Sequence, residues 1–317
     1  MFRTIGLRIG ELIAVLFVVS FGVFMLLSLM PGDPAVAILG EGHPPEAYDE
    51  LRSEMGLDRP AIQRYFEWLG GALTGDLGTS LVPPQSDVAS RIASALPVSI
   101  QLAVMGLILA LALSVPFAMF CAARPGGIAD RAISAAMFGV LSVPPFLAGL
   151  LLILVFANGL GWFPRAQWVR LSESVPDNLL HAILPVVVIA LMELALFTRV
   201  LRNDLIGTLR EDFILAARAK GMPPWRVMVT DALRPSAFSL VTLMGISLGR
   251  LIGSTVVVEY LFALPGMGSL VIDSANQGDF PMVQGAVLVI ATIYVLSNAL
   301  IDFFYGYLDP RTRRVTT

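Results

Sequence analysis

An all-α integral membrane protein is the fold class this sequence predicts, and three observations predict it. Of 317 residues, 56% are hydrophobic and 14% charged, against roughly 25% charged in a soluble domain. The mean hydropathy is +0.78. Finally, six stretches with at most one charge are each long enough for a helix to cross about 30 Å of hydrocarbon, which takes about 20 apolar residues. The same composition excludes several function classes. A net charge of −3 argues against nucleic acid as a partner. Cys121 is the single cysteine, and His43 and His181 are too far apart for a zinc site of known spacing. No His or Cys cluster, and no Ser-His or paired-Asp arrangement on facing spans, offers the chemistry of a membrane-embedded enzyme.

The spans follow in order. Leu12 to Met30 is uncharged, and it exceeds the roughly 7 to 15 apolar residues of a signal-peptide core, so it reads as a retained first span. Ile92 to Ala123 and Ala132 to Pro164 are also uncharged, with Pro116, Pro144 and Pro145 placed to kink them. Asn178 to Thr198 carries only Glu193, Ser236 to Val258 only Arg250, and Pro281 to Ile301 no charge. Six transmembrane helices result, with a long extracytoplasmic loop after the first. Basic residues set the orientation. Arg3 and Arg8, Arg124 and Arg131, the six Lys and Arg from Arg202 to Arg234, and Arg311, Arg313 and Arg314 all fall on one side. That side is the cytoplasmic one, and it holds both termini.

The chain is thus divided into 1–30, the N-terminus and first span; 31–97, the outer loop; 98–308, spans two to six; and 309–317, a cytoplasmic tail. The outer loop carries ten acids and four arginines. A Pro-initiated charged run from Pro44 to Arg52 predicts a small cap of helices and turns. Its acidic surface either receives a partner or is simply solvated.

The loop at about 202–235, between spans four and five, is the most informative stretch. Apolar residues at 205, 209, 213 and 217 form the i, i+4 stripe of an amphipathic helix. Gly221 stops that helix, Pro223 and Pro224 restart the chain, and Trp225 to Leu233 forms a second short helix. The product is an elbow at the membrane surface, either a linker or a surface that lipid, the bundle or another protein covers. Within the spans, Glu193 and Arg250 require an explanation, since a mid-span charge costs at least about 2.5–3.5 kcal/mol. They either line a passage or pair with each other or with a partner. Gly245, Gly249 and Gly253 recur every fourth residue, a spacing that permits close helix crossing.

The elbow also carries a resemblance. Ala216-Ala217-Arg218-Ala219-Lys220-Gly221 resembles the "EAA" loop of ABC importer permeases, with Leu215 where that name has Glu. From Glu211-Asp212-Phe213 to Gly221 it resembles the version found in the dipeptide/oligopeptide permease family. Pro31-Gly32-Asp33-Pro34-Ala35, Gly56-Leu57-Asp58-Arg59-Pro60 and Gly75-Asp76-Leu77-Gly78-Thr79-Ser80 are similar to that family too. So are Val257-Val258-Glu259, Leu264-Pro265-Gly266-Met267-Gly268 and the chain end Leu308-Asp309-Pro310-Arg311.

The resemblance implies a permease subunit of an ATP-driven importer in the bacterial inner membrane. Its partners are a second homologous permease, two cytoplasmic ATPases that bind ATP and Mg, and an extracytoplasmic solute-binding protein that delivers peptides. It implies that Ala216, Ala217, Arg218, Lys220 and Gly221 couple the chain to the ATPase. The chain has no cofactor of its own in this reading, and its only lysine, Lys220, is followed by Gly221, so no Walker A motif exists to bind ATP. The alternatives are an ATP-independent secondary transporter or channel, whose inverted repeats are not evident, and, among importers, uptake of nickel chelates, glutathione-like peptides or sugars.

Overall fold

The structure, a computed structural model, describes residues 2–29, 34–40, 42–54 and 56–308. Two of the motif segments, Pro31-Gly32-Asp33 and the chain end from Asp309 with Arg311, Arg313 and Arg314, lie outside the described residues. Among the described residues the regular structure is helical, apart from one isolated antiparallel bridge between Thr79 and Asp87.

Helix α1 (Phe2–Ser28) is followed by three helices in the outer loop, α2 (Pro34–Leu39), α3 (Pro45–Glu54) and α4 (Ala61–Thr74). Pro45 opens α3, where a missing N–H leaves no helical bond unmade. Helix α5 (Val88–Ala123) starts earlier than the uncharged stretch does, because the Asp87 carboxylate accepts the Ser90 N–H at 2.7 Å and caps it.

The third span is not one helix. It is α6 (Ile128–Ser142), then α7 (Pro145–Leu152) with a π-helical turn Ile153–Gly159, and the two halves are bent by 101°. Val143 is extended ahead of two prolines that lack N–H groups, so the helical ladder ends there. Pro116, by contrast, lies within an unbroken α5.

Helix α8 (Val175–Thr208) begins at Ser174, whose hydroxyl accepts the Asp177 N–H. Next come α9 (Asp212–Ala219), α10 (Pro224–Arg226), a π-helical turn Val227–Ala232, α11 (Leu233–Ser254) and α12 (Val256–Leu261). The chain closes with α13 (Met267–Asn276) and α14 (Phe280–Leu308). Five helical segments are long and apolar enough to cross a membrane, and the bent pair makes a sixth if taken as one span.

The chain divides into two compact units. The first comprises residues 1–99 and 264–299. Its core joins Leu77, Val88, Ile92 and Ala95 to Met267, Leu270, Met282 and Ala286. Two polar ties fix it: the buried Asp279 carboxylate accepts the Ser80 hydroxyl and the Leu81 N–H, and the Ser99 hydroxyl accepts the Met267 N–H at 2.8 Å.

The second unit comprises residues 100–263 and 300–317, with α8 packed against α6, α7 and α11. Glycine sets two of its closest approaches. A Cβ at Gly106 would stand 2.5 Å from Cγ2 of Ile189, and one at Gly149 would collide with Leu261. Isoleucine is stiff at χ1 and cannot turn aside cheaply. Gly106→Leu is therefore expected to lower stability by at least about 1–3 kcal/mol. Gly139→Ala, with nothing within 4 Å of the new methyl, is expected to hold or raise it. Thermal unfolding of the purified variants in detergent, read side by side, checks both.

Candidate functional site

The elbow is built where α8 stops. The N–H groups of Leu209, Arg210 and Glu211 bond back to Leu205, Gly207 and Thr208 at 2.9, 3.1 and 3.0 Å, which tightens the last turn, and Glu211 is extended. Gly207 and Thr208 are weak helix formers, and Asp212 begins α9 afresh. The 205, 209, 213, 217 stripe is consequently not one amphipathic helix. Leu205 is buried on α8, Ile214 rather than Phe213 is the fully buried residue of α9, and Phe213 points outward.

The end of α9 is closed by backbone chemistry. Gly221 has φ +78°, its N–H bonds the Arg218 carbonyl at 2.9 Å, and the Met222 N–H bonds the Ala217 carbonyl at 3.3 Å. This pair of bonds is a Schellman motif, in which glycine is preferred because it has no Cβ to strain. Pro223 then restarts the chain. The second arm is not a separate short helix, since α10, the π turn and α11 run on directly into the span. Pro235 lies just past the π turn, where the i→i−4 ladder is already interrupted, so it breaks no regular run.

Two ties hold the base of the elbow. The Ser236 hydroxyl donates to the Thr208 hydroxyl at 2.8 Å, joining the start of α11 to the end of α8. Six residues earlier on α8, the Arg202 guanidinium clasps both oxygens of Asp130, one at 2.6 Å, and the same carboxylate accepts the Gly126 N–H at 2.8 Å. Asp130 is buried. The elbow presents Ala216, Arg218, Lys220 and Gly221 on its surface, with Ala217 half-buried. Around them Phe213, Leu215 and Trp225 are 49%, 53% and 69% exposed, an apolar group on a polar loop.

Within the spans the structure brings Glu193 and Arg250 together. The Glu193 carboxylate is buried on α8; one oxygen receives the Arg250 guanidinium, the other the Ser247 hydroxyl at 2.6 Å. Arg250 and Ser247 sit three residues apart on α11, the spacing that puts both on one helix face. Of the α11 glycines, Gly249 is buried, Gly245 half-buried and Gly253 exposed. Two polar positions escape sequence reasoning. Asp130 lies beside a glycine turn with no motif to mark it, and Arg202 reads only as one of the basic residues that set the orientation. Glu259, the last residue of the Val257-Val258-Glu259 motif, is fully buried and accepts the Thr255 hydroxyl at 2.8 Å.

This arrangement defines a class: a polytopic helical membrane protein whose α8 is ion-paired to α6 and to α11 and whose connecting loop carries exposed apolar side chains. Residues 114–314 match the family described as binding-protein-dependent transport system inner membrane component, and residues 1–103 match its N-terminal family. The chain belongs to this family. It is 36% identical over 311 residues to a putative peptide transport system permease protein of Brucella abortus (strain 2308), covering 96% of this chain and 97% of that one. It is 34% identical to the oligopeptide transport system permease protein AppB of Bacillus subtilis (strain 168), covering 91% and 92%. Against the di/tripeptide transport system permease protein DppB of Pseudomonas aeruginosa (strain UCBPP-PA14) the identity is 31%, covering 99% of each. The chain is thus a membrane permease component that works with a solute-binding protein and an ATPase, and it is not itself an enzyme.

Glu193 is buried whereas Arg250 is 53% exposed, so removing the arginine strands a buried carboxylate, at about 3–5 kcal/mol. Arg250→Leu is expected to destabilise the protein by that order, Glu193→Leu by less, and the double variant by less than Arg250→Leu alone. A double-mutant cycle on unfolding in detergent checks this; additive losses would show that the two charges do not support each other.

Proposed function

We propose that this chain is one permease of an ATP-driven importer of di- and oligopeptides, the cargo class in the names of its relatives. It pairs with a second, homologous permease. Two ATPase subunits bind ATP and Mg and seat against the elbow, and an extracytoplasmic binding protein delivers the peptide. Both termini lie on the cytoplasmic side, toward which the Lys and Arg of the short loops are biased. Residues 98–308 form the transport domain, with 31–97 as an outer cap.

The observation that carries this reading is the elbow: exposed Phe213, Leu215 and Trp225 on a loop stapled at its base by Thr208 and Ser236. An exposed apolar group on an otherwise charged loop fits contact with a protein. Ala216, Ala217 and Gly221 allow an ATPase groove to approach the backbone closely, and Arg218 and Lys220 meet acids there. Force applied to the loop reaches the spans because α8 is tied to α11 twice, at Glu193 and again at Thr208. Those ties lie fifteen residues, or about 22 Å, apart along one helix, so the two helices tilt together when the loop is pushed, as a rigid-body switch requires.

The test uses the importer reconstituted in proteoliposomes with its binding protein. Ala216→Trp adds bulk where this chain has open surface. The variant is expected to assemble and keep basal ATPase activity, yet lose peptide uptake and the stimulation of ATPase by the loaded binding protein. Uptake at wild-type rate with the bulky residue in place would remove the elbow from the coupling path. Downhill peptide flux through this chain without any ATPase would replace the importer with a secondary transporter.

A further inference from the structure

The outer-loop helix α4 has three faces, and its chain covers only one of the apolar two. Tyr65, fully buried, packs its ring against Phe17, Phe21 and Phe24 of α1 at 5.9, 5.1 and 5.5 Å between centroids, and its hydroxyl bonds the Ser20 hydroxyl at 2.9 Å. A polar face carries Gln63 and Glu67, which bond each other, and Glu67 also pairs with Arg59. Between these faces runs a stripe of Ile62, Phe66, Leu69 and Leu73, at the i, i+4, i+7, i+11 spacing of one helix side. Phe66 is 56% exposed and Leu73 81% exposed.

The depth of α4 identifies what covers that stripe. Helix α1 runs from Phe2 to Ser28 and is uncharged from Leu12 onward, a length of about 25 Å against roughly 30 Å of hydrocarbon. The charges at Arg8 and Glu11 mark its other end, so the uncharged stretch is immersed. Phe21 lies seven residues inside Ser28, about 10 Å below the end of the span. Since Tyr65 packs on Phe17, Phe21 and Phe24, α4 sits at that depth, not above the membrane. The aromatic packing also links the two helices without a break: the ring of Phe17, exposed on α1, meets buried Tyr65, and the Tyr65 ring meets exposed Phe66 at 5.3 Å.

We propose that α4 is a membrane-embedded interfacial helix, its Ile62–Phe66–Leu69–Leu73 stripe inserted among the acyl chains of the leaflet reached by the C-terminal end of α1. Its polar face, with Gln63 and Glu67, lies toward the headgroups and water. This is the geometry of an amphipathic helix lying in the plane of the interface, its apolar side sunk about 5–10 Å. The outer loop, read from the sequence as a small cap of helices and turns, is therefore anchored at one height by lipid, not by a binding protein or a second permease.

Site-directed spin labelling of the assembled importer in lipid nanodiscs tests it. Cys121 is buried, so the unsubstituted chain is the blank. Phe66→Cys and Leu73→Cys remove side chains that this chain leaves exposed, and either reports without the other should one fail to assemble. Nitroxides at 66 and 73 are expected to collide several-fold more with oxygen than with a water-soluble nickel chelate, and Gln63→Cys to show the reverse. Nickel access at 66 and 73 equal to that at 63 would place the stripe in water and overturn the proposal. Protection from both reagents would mean that protein covers the stripe, which overturns it equally.

Discussion

An unpaired charge inside hydrocarbon is costly, and in the second unit that constraint falls on α8. Packing alone does little to fix its position, because lipid tails are as apolar as the leucines of a neighbouring helix. Four polar residues do so instead. Asn178 donates to the Val169 carbonyl at 2.7 Å and accepts from Gln101 of α5. Glu193 takes Ser247 and Arg250 of α11, Arg202 clasps Asp130 of α6, and Thr208 accepts from Ser236 of α11. Each tie reaches a named atom, so sliding α8 by one residue would break all four. The helix holds a unique register against three neighbours for this reason.

Between the ties, small residues let the helices close up. Gly106 admits Ile189 of α8, and Gly149 admits Leu261 and Phe262, so dispersion contacts form over surfaces that a methyl group would hold apart. The two devices depend on each other. Polar ties select the register in which each glycine faces a large side chain, and close packing keeps lipid and water from competing for the tied groups.

Much of this was legible in the sequence, for physical reasons that also explain what was not. An uncharged run of twenty or more residues can only be a span or a core, so the long helices were readable. Gly221 was readable because its backbone conformation favours glycine. The bend after Ser142 was visible as a proline pair, but its 101° angle was not, since a missing N–H says where a ladder ends and nothing about the direction taken next. The amphipathic stripe misled at the elbow: spacing at 205, 209, 213 and 217 ignores the weak propensity of Gly207 and Thr208, where α8 ends before α9 begins at Asp212. Arg202 and Asp130 are 72 positions apart, and Glu193 and Arg250 are 57 apart. Pairings across such distances are set by tertiary packing, and for the second pair the cost of an unpaired charge was the only clue.

The same pairing bears on what the proposed passage can select. Both Glu193 oxygens are occupied, one by guanidinium and one by hydroxyl, so the carboxylate has little capacity left to hold the ammonium end of a passing peptide. A carboxylate left free in the spans would bind that end tightly, and release would then limit transport. On the proposed reading, a charge tied to a fixed neighbour leaves the permease little with which to grip one peptide more than another. On the proposed reading, discrimination among cargoes then belongs to the binding protein. On that reading the permease has a narrower task, to keep α8 and α11 moving as one body when the elbow is pushed, and the Glu193–Arg250 pair serves it.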